Sequence, residues 1–333
     1  RAGVSASTVS LVLAGKADRR RISEETRDRV KRAADDLNYA PNLLTRSLRR
    51  GRTHILSFFS GFRHRENDDL YMDKVSSAIE LAGGSLGYDV LVHCNFKRSP
   101  REIYQFLNGG LADGVILLAP LHDDPLLNLL QKSALPVALV NRRDELGLYP
   151  SIVDDECSGM KLVAENLVSR GHRRIVAISG EGVDARDSSG RIQLLAEELA
   201  LRGLKLPPPK PAVLQSEAQA LLKALLSDPN PPTAIFCWHD RLAYQVLAAC
   251  EALQIKVPEQ LSIVGYDGLQ WPGATRHVAA SVSVDLNQLA VRAVNLVDQL
   301  ISGYEGPPIV ETLPVSFICG TSLGDAPTLQ RSN

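Results

Sequence analysis

The chain has 333 residues, which is too long for one ordinary hydrophobic core and predicts two or three domains. Apolar residues account for 44% and charged residues for 23%, as in globular proteins, and no apolar run approaches the roughly 18–20 residues that a membrane span requires. The sequence starts without a secretory signal and its five cysteines are scattered, so we expect a cytoplasmic protein with free thiols and no membrane contact.

Charge is distributed unevenly along the chain. Residues 1–52 contain 13 Lys+Arg against 6 Asp+Glu, whereas the remaining 281 residues contain 24 against 32. The formal net charge of −1 therefore conceals a basic first segment on an acidic body. A basic surface suits a polyanion such as DNA, because neutralising phosphates releases condensed counterions. The alternative is a merely solvated helix surface.

The first predicted element is a short helix that begins after Ser5, a residue type that caps helices, with Gly3 in a turn ahead of it. Val9, Val12 and Leu13 then recur at helical spacing. Small polar residues in the first turn, after a glycine-containing turn, are typical of the second helix of a helix-turn-helix. Small side chains there let the helix approach the floor of the major groove.

A second capped helix follows. Ser23 precedes an apolar row spaced by three and four residues, and Pro41 ends the pattern because proline cannot continue a helix. The members of this row are Val30, Ala33, Ala34 and Leu37. A third, amphipathic stretch over residues 43–50 mixes leucines with arginines and is closed by Gly51. Residues 1–52 are therefore predicted to form a DNA-binding head with its hinge.

From residue 53 onward short apolar strands alternate with helical patterns, which predicts an α/β fold with parallel, doubly wound sheets. The predicted strands are His54–Phe59, Tyr88–His93, Gly114–Leu118, Pro136–Asn141, Arg174–Ser179, Thr233–Trp238 and Leu261–Tyr266. The predicted helices are Met72–Gly83, Cys157–Ser169, Arg191–Leu201 and Arg241–Gln254. A break near residue 150 indicates two subdomains, with a ligand cleft beyond the carboxyl ends of the strands.

Several spaced motifs occur in order along the chain. They are Ala2-Gly3-Val4-Ser5, Thr8-Val9-Ser10, Ile22-Ser23-Glu24-Glu25-Thr26-Arg27, Tyr39-Ala40-Pro41-Asn42, Arg46-Ser47-Leu48, Gly171-His172-Arg173-Arg174-Ile175 and Val257-Pro258-Glu259-Gln260-Leu261-Ser262-Ile263-Val264-Gly265-Tyr266-Asp267. This set resembles the LacI/GalR family of bacterial transcriptional repressors, up to about Ser322. The resemblance implies an all-α helix-turn-helix head with a hinge helix, followed by a two-subdomain sensor like a periplasmic binding protein.

The resemblance also implies a division of the chain. Residues 1–52 would form the head and hinge, residues 53–149 plus about 283–311 the first sensor subdomain, and residues 150–282 plus about 312–325 the second. A helix near 286–302 would return the chain to the first subdomain. Family members carry a further helix ahead of Ala2, so we expect the first helix of the head to be missing from this sequence. A palindromic operator needs one head for each half, which implies a homodimer.

The DNA-binding residues implied by the resemblance lie in the first helix and in the hinge. Those in the helix are Ser5, Ala6, Ser7, Thr8, Ser10 and Leu11. Ala6, Ser7 and Leu11 would face base edges, with packing as the alternative for Leu11, and Thr8 and Ser10 would bind phosphates or brace the turn. In the hinge, Leu48 matches the leucine that two subunits insert into the minor groove, with packing against the sensor as the alternative. Its expected phosphate-binding neighbours, for which solvation is the alternative, are Asn42, Arg46, Arg49 and Arg50.

In the cleft, the resemblance assigns Arg191 and Asp240 to the effector. Arg191 would start a helix and donate to hydroxyls or a carboxylate, and a surface arginine is the alternative. Asp240 would accept hydroxyl hydrogens from a sugar while capping its helix, and capping alone is the alternative. Trp238 is a candidate for stacking on a sugar, with a core position as the alternative, and for Asp267 the alternative is fixing a loop. The further effector candidates are Asn141, Tyr71 and His239.

These features predict a sequence-specific DNA-binding regulator, a repressor, whose affinity for a palindromic double-stranded operator is controlled by a small effector. The resemblance implies a carbohydrate or related polyol, and a nucleobase is the alternative. A solute-binding or sensor protein without productive DNA binding is the second hypothesis. No nucleophile elbow, phosphate loop or zinc-binding spacing occurs, so we expect neither an enzyme nor a bound cofactor or metal. His172 is expected to be structural.

Overall fold

The computed structural model describes residues 1–13, 15, 17–18, 21–39, 47, 51–60, 69–94, 97–121, 123–180, 183–211, 215–271, 273 and 275–327. Within these ranges the chain forms a small helical head and two sheets flanked by helices, the first parallel and the second parallel except for one strand. Across the same ranges, no helix combines the length and the apolar character needed to span a membrane.

Helices α1 (Ala6–Leu13) and α2 (Glu24–Asp36) form the head, as the sequence predicts. Ser5 and Ser23 each accept a hydrogen bond from the backbone N–H three residues further along and so cap the two helices. The buried side chains that join the helices are Val12, Ala17 and Val30. Leu37 was expected in the apolar row of α2, but it is 53% exposed because the helix ends one residue before it.

The first sheet is parallel throughout. Its strands are β1 (Ile55–Ser60), β2 (Asp89–Cys94), β3 (Gly114–Leu118), β4 (Val137–Val140), β5 (Ser151–Asp154) and β11 (Val310–Leu313), in the order β11-β5-β4-β3-β1-β2. Helices α3 (Leu70–Ser85) and α10 (Leu286–Ile301) pack on one face, and α4 (Pro100–Leu107) and α5 (Pro125–Leu130) pack on the other.

The second sheet repeats this topology. Its strands are β6 (Ile175–Ser179), β7 (Lys210–Pro211), β8 (Ala234–Cys237), β9 (Ser262–Asp267), β10 (Ala280–Ser283) and β12 (Ser316–Ile318), in the order β12-β10-β9-β8-β6-β7. Only β12, which pairs with β10, is antiparallel among the strands described. Helices α6 (Glu156–Ser169) and α7 (Val183–Ala200) cover one face, and α8 (Gln215–Leu226) and α9 (Asp240–Ala252) cover the other.

Both sheets are buried on both faces, which explains their continuous apolar strands. In β1, for example, Phe58 is fully buried under α3 and α10, while Phe59 is buried on the opposite side under α4. In each sheet the strand order reverses beside the first strand, at β1 and at β6. Ligands bind such sheets at the carboxyl ends of the strands next to this reversal.

The predicted strands all occur, each within one residue of its predicted ends, and the helices occur within two residues except α7, which begins eight residues earlier. The 12-residue helix α8 was not predicted. The elements α4, α5, β5, β7, β10, β11 and β12 were also not predicted, because they are too brief to show a clear hydrophobic period. The first subdomain was predicted to end near residue 150 and again near residue 311. Strands β5 and β11 of the first sheet extend a little further, to Asp154 and Leu313.

His172 ties the end of the described chain to the second sheet. Its ring nitrogens lie 3.0 Å from the Thr233 hydroxyl and 3.0 Å from the Gly324 carbonyl oxygen, and the residue is fully buried. The expectation that this histidine is structural is confirmed.

Candidate functional site

The outward face of α1 carries the residues assigned to DNA. Ala6, Ser7 and Ser10 are exposed and Leu11 is partly exposed, whereas Val12 is buried against α2. With 3.6 residues per turn, the exposed side chains lie on the side of α1 that faces away from the core of the head. This face is therefore sterically open to a groove of DNA.

The polar residues of this helix also contact one another. Ser5 Oγ lies 2.7 Å from Ser7 Oγ and 3.0 Å from Thr8 Oγ1, so Thr8 braces the turn, one of its two predicted roles. Leu11 is not part of the buried cluster that the described head residues form, which disfavours its packing alternative. The hinge residues of the prediction lie outside the described part of the chain; they are Asn42, Arg46, Leu48, Arg49 and Arg50.

All the predicted effector residues come together at the carboxyl ends of strands from both sheets. Tyr71 lies in the first turn of α3, Asn141 follows β4, Arg191 lies within α7, Trp238 and His239 precede α9, Asp240 begins α9, and Asp267 ends β9. The prediction that Arg191 starts its helix is wrong, because α7 already begins at Val183. The side chain of Arg191 still reaches the cleft from the middle of that helix.

Arg191 is the centre of this group. Its Nε donates to Glu156 Oε1 at 2.7 Å, and its Nη1 donates to the Trp238 carbonyl oxygen at 3.0 Å. Nη1 also lies 3.6 Å from Asp267 Oδ1, and the guanidinium carbon lies 3.7 Å from the centre of the Tyr266 ring. Only 11% of the Arg191 side chain is exposed, so the surface-arginine alternative is wrong.

The Arg191 group connects the two sheets. Arg191 stacks on the ring of Tyr266. The Tyr266 hydroxyl donates a hydrogen bond to the carboxylate of Asp154, at the end of β5 in the first sheet. Asn141, which follows a strand of the first sheet, and Asp267, which ends a strand of the second, adopt φ angles of 57° and 108°. Residues other than glycine rarely occupy this region, and such strain concentrates at binding sites.

Asp240 is fully buried, and the prediction that it caps α9 is wrong. The cap is His239, whose Nδ1 accepts a hydrogen bond from the Leu242 N–H at 3.0 Å. One Asp240 oxygen accepts from the Ser281 hydroxyl at 2.7 Å, and the other accepts from the Leu269 N–H at 2.5 Å. With both oxygens engaged, Asp240 lies beneath the cleft and fixes the loop that follows β9.

That loop also bridges the sheets. Leu269 is buried in the cluster of the first sheet, and Trp271 packs against the clusters of both sheets. Gly265 makes the arrangement possible, because a Cβ there would lie 2.2 Å from Asp240 Oδ1. A side chain at this position in β9 would displace Asp240 and, with it, the loop.

An unsatisfied polar atom lies on the first-sheet side of the cleft. Asn141 Nδ2 donates to the Tyr71 hydroxyl, but Asn141 Oδ1 is shielded from solvent and has no hydrogen-bond partner among the described residues. Leaving a buried amide oxygen unpaired is unfavourable. A ligand hydroxyl that donates to Asn141 Oδ1 would remove this penalty.

Burial controls the protonation of the cleft residues. Burial raises the pKa of Asp267 to about 7. The charge of Arg191 lowers this pKa, but it is outweighed by burial, and the Asp154 carboxylate raises the pKa further. Burial also raises the pKa of Tyr71, and the same two carboxylates add to this effect. Burial lowers the pKa of His239 to about 3, so its imidazole is neutral. Because Nδ1 accepts from the backbone, the proton lies on Nε2.

Three further residues belong to the group but were not predicted to lie there: Glu156, Asp154 and Tyr266. A signal was present, since three consecutive acidic residues begin at Asp154, between a strand and a helix. Trp238 is 9% exposed and lies in the cluster under α9, with its ring 4.1 Å from that of His239, which favours its core alternative.

The assembled side chains can hold a small polar molecule. Arg191 and His239 supply donors, and Asn141 and Asp267 supply acceptors, around the aromatic ring of Tyr71. Over the described ranges, no cluster of three or more His, Cys, Asp or Glu side chains could hold a metal ion. This chemistry is that of hydrogen-bonded ligand recognition.

Comparisons with known proteins identify both parts of the chain. Residues 1–42 match the model of the bacterial regulatory proteins, lacI family, and residues 164–323 match that of a periplasmic binding protein-like domain. The chain therefore contains a lacI-family domain. Together with the periplasmic binding protein-like domain, this makes it a DNA-binding transcriptional regulator controlled by a small-molecule ligand, and the predicted fold class is confirmed.

Relatives align along nearly the whole length of the chain. It is 25% identical over 337 residues to the HTH-type transcriptional repressor PurR of Shigella dysenteriae serotype 1 (strain Sd197), covering 98% of this chain and 96% of that repressor. Its fold is similar to that of the lac repressor dimer bound to operator and the anti-inducer ONPF, with a TM-score of 0.83, 21% identity and 96% of each chain covered. The complex of the transcriptional regulator CelR with cellobiose gives a TM-score of 0.71 at 24% identity and covers 96% of this chain and 97% of that one.

Proposed function

We propose that this LacI-family regulator is a cytoplasmic, homodimeric repressor whose operator affinity is set by a carbohydrate or related polyol bound between the two sheets. The observation that carries the proposal is the Arg191 group, in which side chains from both sheets meet at one place. A ligand bound there contacts both subdomains and therefore favours one of their relative positions. Operator and ligand are then coupled reciprocally, typically by about 1–3 kcal/mol.

The head reads the operator through the outward face of α1. Ala6, Ser7 and Leu11 contact base edges, Ser10 contacts a phosphate, and Ser5 and Thr8 hold the first turn. The excess of basic residues in 1–52 supports this assignment, because the head has to approach a polyanion. In the hinge, Leu48 enters the minor groove at the operator centre, and its phosphate-binding neighbours are Asn42, Arg46 and Arg49.

The ligand class rests on the balance of donors and acceptors in the cleft. Sugar hydroxyls both donate and accept, so one sugar can satisfy Asn141 Oδ1 and Asp267 while accepting from Arg191 and His239. Tyr71 forms the first-sheet wall of the site, and Trp238 and Asp240 support it from below. The complex of CelR with cellobiose, a protein of the same fold, also supports a carbohydrate.

We further propose a subdomain division that follows the sheets. Residues 53–154 and 284–313 form the first subdomain, and residues 155–283 and 314–327 form the second, so the chain crosses between them three times. Three crossings confine the relative motion of the subdomains to a hinge-like rotation. Such a rotation moves the first sheet, to which the head is connected through the chain before β1.

The test is binding of the full-length protein to a library of palindromic duplexes over a salt series. We expect selection of one palindrome, with affinity falling by about 10³–10⁵ between 50 and 200 mM salt if six to ten phosphates are contacted. Leu11→Ala should weaken binding to the selected duplex. Leu37→Ala, an exposed leucine in the same head, should leave it unchanged and is the matched control.

The ligand is tested by titrating a panel of mono- and disaccharides and nucleobases into the selected complex. A sugar that changes operator affinity in the wild type, with the effect lost in Arg191→Met, supports the proposed ligand class. A response to a nucleobase alone contradicts it. No preference for any duplex in the wild type contradicts the repressor and leaves a small-molecule sensor without productive DNA binding.

A further inference from the structure

A single carboxylate holds the point where the hinge segment meets the first sheet. Asp113 lies in the turn before β3, and its Oδ1 accepts from the Thr53 N–H at 2.6 Å and from the Thr53 hydroxyl at 2.9 Å. Its Oδ2 accepts from the His54 N–H at 2.9 Å. Because both oxygens bind consecutive residues of the incoming chain, they fix its direction as well as its position.

Two further contacts hold the same stretch of chain. Arg52 Nη2 donates to the carbonyl oxygen of Ile301, the last residue of α10, at 2.8 Å. The His54 ring lies 6.1 Å from that of Tyr88, whose hydroxyl donates to Asp298 Oδ1 in α10 at 2.8 Å. His54 itself has a φ of 59°, a conformation that a side-chain-bearing residue keeps only where its surroundings impose it.

Helix α10 runs from this junction to the cleft. Its first turn is capped by Asp285, and the preceding Val284 packs against the buried clusters of both sheets. The Val284 N–H lies 3.4 Å from the Asp267 carbonyl oxygen, next to the Arg191 group. A helix of this length measures about 24 Å, so one rigid element has the candidate ligand site at one end and the hinge junction at the other.

We propose that Asp113 is a positioning residue for operator recognition. It fixes the exit of the hinge segment from the first sheet, so that the position of that sheet determines the separation of the two heads. The inference rests on the proposed repressor function, since separation matters only when two heads bind one palindrome. A head on a loose junction still binds a half-site, but it does not discriminate between spacings of the half-sites.

The test compares Asp113→Asn with the wild type on the duplex that the wild-type protein selects and on duplexes with one base pair added or removed at the centre. Asparagine keeps the size of the side chain but places an N–H₂ group where one of the N–H donors of Thr53 or His54 needs an acceptor. Asp89→Asn is the matched control, because Asp89 is exposed at the same edge of the sheet and pairs in register with Ile55.

We expect Asp113→Asn to weaken binding to the selected duplex by about tenfold, the loss that corresponds to one charge-assisted hydrogen bond. The preference for the selected spacing should shrink by a similar factor, while binding to a scrambled duplex stays unchanged. Hydrogen exchange at the Thr53 and His54 amides should accelerate, and the amides of β1 should keep their protection. Thr53→Val removes the hydroxyl contact with Asp113 and the hydrogen bond that the hydroxyl accepts from the Ile55 N–H, but it keeps both backbone donors to Asp113, so it should give a smaller change in the same direction.

Three outcomes decide the matter. An Asp113→Asn protein that discriminates spacings as well as the wild type overturns the proposal, as does equal weakening on selected and scrambled duplexes together with a lower melting temperature. Loss of spacing preference at an unchanged melting temperature supports it. A failure of the proposed repressor function can be told apart from these outcomes, because the wild-type protein would then select no duplex. That result would also overturn the operator-positioning role of Asp113.

Discussion

Asp267→Asn is expected to flatten the pH dependence of stability. The wild-type side chain is 10% exposed, and burial raises its pKa from the ordinary 3.8 to about 7 despite the neighbouring Arg191. The folded protein therefore holds this proton more tightly than the unfolded chain does, so stability is lost as the pH rises from about 4 to about 7. An asparagine has no proton to release and removes this contribution.

The size of the effect follows from the two pKa values. One pKa unit corresponds to about 1.4 kcal/mol, and integration between pH 5 and pH 8 gives a loss of about 2–3 kcal/mol for a carboxyl group that titrates near 7 when folded. The pKa of the adjacent Asp240 is also raised, by burial and by the charge of Asp267. The two carboxyls thus titrate as a pair, and removing one charge lowers the pKa of the other, which flattens the profile further.

The assay is urea unfolding of the wild type and of Asp267→Asn at pH 5, 6, 7 and 8. The free energy of unfolding of the variant relative to the wild type should rise by about 2–3 kcal/mol across this range. Glu259→Gln makes the same chemical change at an exposed position and should follow the wild type. Parallel profiles for Asp267→Asn and the wild type would show that Asp267 ionises normally and would refute the argument from burial.

Three further changes test the packing of the structure. Gly265→Ala should destabilise the protein by about 2–4 kcal/mol in urea unfolding, because the new Cβ overlaps Asp240 Oδ1. Gly84→Ala, in open space on α3, should be neutral or stabilising by up to about 1 kcal/mol, and equal losses in both variants would contradict the overlap. Tyr266→Phe keeps the ring under Arg191 but removes the hydroxyl that donates to the Asp154 carboxylate, and it should lower the free energy of unfolding by about 1–3 kcal/mol. An unchanged midpoint of urea unfolding would contradict this hydrogen bond. His172→Phe should lower stability by about 1–3 kcal/mol, because it leaves the Gly324 carbonyl unpaired and the Thr233 hydroxyl with only its long hydrogen bond to the Arg174 carbonyl oxygen. An unchanged free energy of unfolding would mean that the hydrogen bonds of the ring do not stabilise the fold.

Local patterns in the sequence determined the elements of this protein. Serine caps such as Ser23, helical apolar spacing and runs such as Ile263–Val264 act over a few residues, so the head helices and the longer strands could be predicted to within one or two residues. The positive net charge of residues 1–52 likewise follows from the sequence alone, without any tertiary contact. The family motifs, which are also local, were sufficient to indicate seven of the residues that gather at the cleft, but not Asp154, Glu156 and Tyr266.

Only the tertiary structure decided what those residues do there. Arg191 and Asp240 were both expected to face a ligand, yet the structure surrounds Arg191 with Glu156, Tyr266 and Asp267 and places Asp240 beneath the loop at Leu269. Their partners lie tens of residues away in the chain, and burial, not residue type, sets which hydrogen bonds form and which pKa values shift. The Asp113 junction was also invisible in the sequence, because it joins residues 60 positions apart. Side-chain chemistry is encoded locally, whereas its use depends on neighbours that only the fold supplies.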